Sequence, residues 1–295
     1  MPAGADPLSA LLGESPALLT VRKQVTRLLQ SRSSDRRPLS VLIQGETGTG
    51  KGLLARALHR AGPRAAAPFV EINCAAIPAT LLEAELFGFE RGAFTDARQA
   101  KPGLFQTAHG GMLFLDEIGL LPESLQAKLL KVIEDGVVRR LGSTRTEPVD
   151  TWIVAATSED LRGRTGGLPF RSDLYHRLAG FTIVLPPLRE RGRDTLLLAE
   201  RFLARVCADY GLPAKRFSDD ACAALLQYPW PGNVRELSNV VERACVLAEG
   251  LVLTGDMLGL PGGDVSTGVE RGAAPKPEVI AADDIMRAHM LEVLN

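Results

Sequence analysis

Between residues 40 and 190 the chain alternates short, nearly unbroken apolar runs with longer amphipathic stretches. The runs are VLIQ from 41, FVEIN from 69, MLFLDE from 112, TWIVAAT from 151 and FTIVL from 181. Runs this short and this continuous suit strands buried on both faces, which predicts a parallel sheet wrapped by helices. After PPLRERGRD (186–194) only helical spacing remains, in TLLLAERFLARVCADYG, SDDACAALLQY and VRELSNVVERACVLAEG. Ser218 and Asp219 offer an N-cap there, and Gly211 and Gly250 stand where helices should stop. The pattern thus predicts an α/β part over 1–190 and a small all-helical part over 191–255. The segment 256–280, rich in Gly, Pro and charge from 261 on, reads as a linker, and 281–295 regains helical spacing as the start of a further module.

Composition narrows the class more than the function. With 295 residues there is room for one large and one small core, and 45% apolar with 23% charged residues is an ordinary globular balance. Lys plus Arg (34) nearly equals Asp plus Glu (35), so no global field draws the chain to nucleic acid or anionic lipid. No apolar run reaches the roughly 18–20 residues that span a bilayer, and the N-terminus lacks a secretion signal, so a cytoplasmic protein without membrane contact is expected. The cysteines, Cys74, Cys207, Cys222 and Cys245, show no CxxC spacing and read as reduced thiols.

The chemistry concentrates at two strand ends. GETGTGKG (45–52) follows the first strand and precedes LLARALHRA. Gly45, Gly48 and Gly50, interleaved with Glu46, Thr47 and Thr49, let the backbone turn its N–H groups around phosphate oxygens, while Lys51 reaches the β and γ phosphates. Gly52 stands where Ser or Thr usually supplies a hydroxyl to Mg²⁺, so more of the metal falls to GGMLFLDEIG (110–119). There Asp116 is placed to hold Mg²⁺ and Glu117 to orient and polarise a water. Adjacent carboxylates ending a buried strand are costly unless they face a cation, the alternative being a solvated strand end.

Two further segments admit more than one reading. In FERGAFTDARQ (89–99) the ring of Phe94 lies in a stretch without helical or strand periodicity, so it either tucks into the core or stands out for a partner. In FRSDLYHRL (170–178) Arg171 and Arg177, six residues apart, are either surface charge or guanidiniums that stabilise a transferring phosphoryl group. Arg235, in the first turn of the helix that follows WPGN, opposes the helix dipole by up to about 1 kcal/mol, a cost that a nearby phosphate would reverse.

Taken in order, GETGTGKG, EINCAAI, ELFGFERGAFTDA, GGMLFLDEIG, FRSDLYHRL and WPGNVREL resemble the AAA+ ATPase domain of bacterial enhancer-binding proteins, the activators of sigma-54 RNA polymerase, from about residue 10 to 250. The resemblance implies an α/β AAA+ P-loop NTPase with a small helical lid, ATP and Mg²⁺ as cofactors, and a homo-oligomer, a hexamer, in which Arg171 and Arg177 act on the neighbour's nucleotide. It makes Asn73 the switch residue that holds Glu117 when γ-phosphate is present, and Arg235 the sensor on the lid. Thr157 and Ser158 occupy the first sensor position, where the family has Thr-Asn. Residues 11–16 and the 190s region would border the adenine. Gly92, Ala93, Phe94, Thr95, Asp96 and Ala97 would be the loop that touches sigma-54 and remodels the polymerase, with Asp96 where the family has Gly. Aspartate narrows backbone choice and adds a negative charge per subunit. Asp96, Ser158 and Gly52 together motivate an alternative, a nucleotide-binding oligomeric regulatory module that does not engage sigma-54. DNA would be reached only through the module beginning at 281.

Overall fold

The structure, a computed structural model, describes residues 11–30, 38–162 and 169–261. The expected module over 281–295 and the linker from 262 on lie outside the described residues. Each apolar run forms a strand: β1 (Val41–Gln44), β2 (Phe69–Asn73), β3 (Met112–Asp116), β4 (Trp152–Thr157) and β5 (Phe181–Val184). They make one parallel sheet in the order β2-β3-β4-β1-β5. Parallel neighbours require long crossovers, and the amphipathic stretches supply them as helices.

Alternation along the inner strands sorts the core into two layers. Leu113, Leu115, Ile153 and Ala155 pack under α3 (Ala79–Phe87), α4 (Glu123–Asp135) and α5 (Ser172–Leu178), through Leu82, Leu86, Leu125, Leu129 and Leu174. Met112, Phe114, Val154 and Ala156 face the other way, against α1 (Pro16–Gln30) and α2 (Lys51–Ala61), through Val21, Val25, Leu54 and Leu58. Both layers are dry, which is why β3 and β4 read as unbroken apolar runs, while the outer strands β2 and β5 expose Glu71 and Val184. The sheet register sets Gln44 beside Thr157 and Asn73 beside Asp116. The carboxyl ends are therefore level, and the loops after β1, β2, β3 and β4 open on one edge, where ligands bind in open parallel sheets.

Two small antiparallel hairpins interrupt this pattern, Gly88–Phe89 with Lys101–Pro102 and Val137–Val138 with Glu147–Pro148. They touch: Glu90 N–H donates to Leu141 O at 2.9 Å and Leu141 N–H to Gly88 O at 2.9 Å. Arg140 pairs with both Glu90 (3.4 Å) and Glu147 (3.0 Å) across the joint.

Beyond Leu188 the chain forms a separate helical layer of α6 (Asp194–Asp209), α7 (Asp219–Gln227) and α8 (Asn233–Leu247). Its core is Leu198, Leu203, Leu225, Trp230, Leu237 and Val241. The hydroxyl of Ser218 caps α7, accepting from Ala221 N–H at 3.4 Å, and Gly211, at φ 64°, follows the end of α6. This part is not purely helical. Arg216–Phe217 and Val252–Leu253 pair in parallel, and a helical turn, Gly255–Leu258, follows. Leu253 and Leu258 are fully buried in the same core, so packing continues into the segment whose composition reads as linker.

Candidate functional site

The phosphate loop is shaped by glycines that must be glycine. Gly48 sits at φ 80°, and a Cβ there would lie 2.2 Å from Gly232 O; Gly50, at φ 104°, turns the chain into α2. No side chain caps α2, so its first N–H groups and their positive potential are left to the loop's concave side. Lys51 is only 6% exposed, and its ammonium donates to the carbonyls of Gly45 (2.9 Å) and Glu46 (3.4 Å) and lies 3.4 Å from Glu117. Thr49 Oγ1 donates to Glu46 O at 2.7 Å, closing the turn.

The carboxylates stand opposite. Glu117, just past β3, is one of three non-glycine residues at positive φ among the described residues (50°), a conformation that swings its side chain back over the sheet edge. Its Oε2 accepts from Ser158 Oγ at 2.8 Å and Ser158 N–H at 3.2 Å, while Oε1 faces Lys51. Asp116 accepts from Glu117 N–H at 3.0 Å, and burial, with the neighbouring charge of Glu117, pushes its carboxyl above the usual range. The same surroundings push the buried Cys74 thiol up to about 12, leaving it un-ionised. Asn73 does not reach Glu117: its Oδ1 accepts from Ala75 N–H at 2.8 Å, an Asx turn. Thr157 is likewise turned to its own loop, donating to Glu159 O at 3.2 Å.

Thr47, Gly48, Gly50, Lys51, Gly52, Asn73, Asp116, Glu117 and Arg235 line one cleft of about 720 Å³. A triphosphate fits its chemistry, with an ammonium, an uncapped helix start and Arg235 converging on glycine backbone. Mg²⁺ fits too: Asp116 is a half-buried carboxylate whose raised pKa a cation would reverse, and this ion is usually held by one or two carboxylates plus phosphate oxygens. A Cβ on Gly52 would meet only Phe114 at 3.8 Å, so space for a side chain exists there.

Contacts from the lid side were not legible as motifs. Glu46 receives both guanidinium N–H groups of Arg189 (2.9 and 2.6 Å) and the Nδ2 of Asn233 (3.1 Å), which hold its carboxyl down at about 2. Buried Arg191 donates to Pro186 O (2.8 Å) and Thr49 O (2.9 Å), and Asp194 accepts from the N–H groups of Glu14 (2.7 Å) and Ser15 (3.1 Å). Residues 14–16 and 190–194 border a second cleft of about 410 Å³, in the region the resemblance assigns to the adenine.

The remaining candidates lie elsewhere. Arg171 grips Asp173 through two bonds (3.0 and 2.7 Å), and Arg177 Nε donates to Glu134 at 2.9 Å. Both are well exposed, and neither lines the cleft of its own chain. In the 92–97 loop Phe94 is 44% exposed, its ring 4.8 Å from that of Phe89, so it rests on the hairpin and not in the core. Gly92, at φ 83°, begins the turn; Thr95 and Asp96 are exposed, and Ala97 is buried with its N–H on Phe94 O at 3.0 Å. Asp96 has negative φ, so this conformation does not demand glycine there.

Comparison with known proteins places this geometry. The profile of the family described as the Sigma-54 interaction domain matches residues 11–184, and that of the AAA+ ATPase lid domain matches 189–261. The chain is 48% identical over 239 residues to the response regulator PilR of Pseudomonas aeruginosa (81% of this chain, 52% of that protein). It is 44% identical over 276 residues to the Nif-specific regulatory protein of Azotobacter vinelandii (94% and 51%), so it spans about half the length of such relatives. Among solved structures, NtrX from Brucella abortus in complex with ADP superposes with a TM-score of 0.77 at 33% identity (97% of this chain, 61% of that one). The Holliday junction branch migration motor RuvB of Thermotoga maritima, at 18% identity and a TM-score of 0.54 (86% and 70%), shares the fold. An AAA+ core that carries this phosphate loop, this carboxylate pair and this exposed hairpin loop belongs, with its lid, to the sigma-54 interaction domain family of transcriptional regulators.

Proposed function

We propose that the chain is an ATP-hydrolysing motor that, as a ring of identical subunits, remodels sigma-54 RNA polymerase through the 92–97 loop. The reading is carried above all by one observation: Lys51, Asp116 and Glu117 converge on a single cleft, while two arginines and a phenylalanine stand exposed away from it. Lys51 leaves its carbonyl partners for the β and γ phosphates. Asp116 would hold Mg²⁺, which would supply charge neutralisation on the phosphate oxygens. Glu117, fixed by Ser158, orients the attacking water and accepts its proton. Arg235 reads the phosphate end from the lid. Arg171 and Arg177, which do not line their own cleft, release Asp173 and Glu134 and complete the neighbour's site, so that turnover requires assembly, in the hexamer the resemblance implies. Asn73 reaches Glu117 only if its Asx turn opens.

The likeness to NtrX, which has been crystallised with ADP, supports nucleotide as the ligand. Engagement of sigma-54 is supported by family membership and by the exposure of Phe94 and Thr95; the negative φ of Asp96 removes the backbone objection to aspartate. A transcription regulator of this type works in the cytoplasm, and no described helix is long and apolar enough to cross a membrane. DNA contact would belong to a module of which residues 281–295 are only the start.

The test is a pair of substitutions read by equilibrium binding of a fluorescent ATP analogue and by phosphate release. Lys51→Ala is expected to abolish binding. Glu117→Gln is expected to bind as the natural chain does and to lose at least ~100-fold in turnover, since only the proton acceptor is removed. Turnover persisting in Glu117→Gln would reject the assignment of Glu117.

A further inference from the structure

Asn233 opens helix α8, and three features set it apart. It is fully buried, it holds φ 52°, and both halves of its amide are used. Oδ1 accepts from Leu188 N–H at 2.7 Å, in the segment that leads from the sheet to the lid. Nδ2 donates to Glu46 Oε2 at 3.1 Å and to Thr47 O at 3.0 Å, both in the phosphate loop. The next residue continues the contact, Val234 N–H donating to Gly48 O at 3.0 Å, and Gly48 approaches Gly232 so closely that no side chain could intervene. Arg189 meets the same Glu46 carboxylate from the connecting segment.

We propose that Asn233 is a positioning residue that couples the orientation of the lid to the shape of the phosphate loop, with Glu46 and Arg189 completing the latch. A planar trans peptide turns its carbonyl and its N–H to opposite sides. With Thr47 O held by the lid amide, the Gly48 N–H is directed away from the lid, where a phosphate oxygen can take it. Asparagine suits the position because it tolerates left-handed backbone and offers a donor and an acceptor from one side chain. A residue that only ended the preceding turn would need the acceptor half; the donor half is what reaches the nucleotide site. The consequence is two-way, as coupling must be: nucleotide in the cleft fixes the lid, and a displaced lid loosens the loop. The inference rests on the nucleotide-binding reading above.

The test compares the natural chain with Asn233→Asp, which keeps the acceptor and the size but removes the donor, and with Glu46→Gln. A fluorescent ATP analogue is titrated at equilibrium, and hydrogen exchange of residues 45–50 and 233–238 is followed with and without it. In the natural chain the analogue slows exchange in both segments. Asn233→Asp should bind at least tenfold more weakly and, at saturation, show slowing in 45–50 but not in 233–238; unchanged affinity and slowing in both segments would overturn the coupling. If Asn233→Asp does not fold, Glu46→Gln decides, because that side chain is 40% exposed and its replacement spares the core. A threefold or greater loss of affinity with weaker slowing at 233–238 supports the latch, and natural values refute it. If the natural chain binds no analogue, the nucleotide reading itself fails. The latch then stands only if either substitution speeds exchange in both segments together, and falls if one segment responds alone.

Discussion

Glu117 is gripped on both carboxylate oxygens, by Lys51 on one and by Ser158 on the other. The resemblance gives this task to Asn73 when γ-phosphate is present; here Asn73 is occupied with Ala75, and Ser158 holds the carboxylate. A hydrogen bond to a charged acceptor contributes about 1.5–3 kcal/mol, so Ser158→Ala should lower kcat roughly tenfold or more, against a smaller loss for Asn73→Ala, in steady-state phosphate release. Asp116 offers a second test. Its carboxyl is raised by burial first and by Glu117 second, so the folded, nucleotide-free protein carries a charge it disfavours. Asp116→Asn should therefore raise the melting temperature while removing Mg²⁺-dependent nucleotide binding. Glu46 behaves oppositely. Its pKa is lowered to about 2 by Arg189 and then Asn233, so its contribution to stability is full above its ordinary value near 4.5 and is lost as pH falls from there through 2. The pair is 40–45% exposed, so solvent screening keeps that contribution to about 1 kcal/mol or less, measurable by acid titration of natural and Glu46→Gln chains. The phosphate loop and the Asp116–Glu117 pair were legible because each lies within one contiguous motif. Ser158–Glu117 and Asn233–Glu46 were not, because 41 and 187 residues separate partners that only the fold brings together.

At the scale of elements, legibility followed burial. The inner strands β1, β3 and β4, closed on both faces, announced themselves as apolar runs, and β4 is buried throughout its six residues. The hairpins at 88–102 and 137–148 have two-residue strands, too short to impose any periodicity, and neither was legible in the sequence. The second nevertheless braces the hairpin that carries the 92–97 loop, through Leu141 and Arg140. Phe94 accordingly rests on Phe89 at the end of a supported arm. Phe94→Ala should keep phosphate release within about twofold of the natural chain, because its ring touches no cleft residue, and should lose sigma-54-dependent transcription in a purified assay. Loss of phosphate release would show that the ring supports the ATPase itself.

For the molecule as a whole, the two exposed arginines test whether subunits act on one another's clefts. Arg171 and Arg177 pair with carboxylates of their own chain, exposed contacts worth little and easily exchanged. Mixing Arg177→Ala with Lys51→Ala, each nearly inactive alone, should restore part of the phosphate release, since each subunit supplies what its neighbour lacks. Absence of rescue in mixtures that sediment as rings would count against action between subunits. The most direct test of the account is ATP-dependent open-complex formation by purified sigma-54 holoenzyme on a supercoiled template with the natural chain. The account predicts open complexes that vanish with Glu117→Gln, while a chain that hydrolyses ATP and yields none would contradict it.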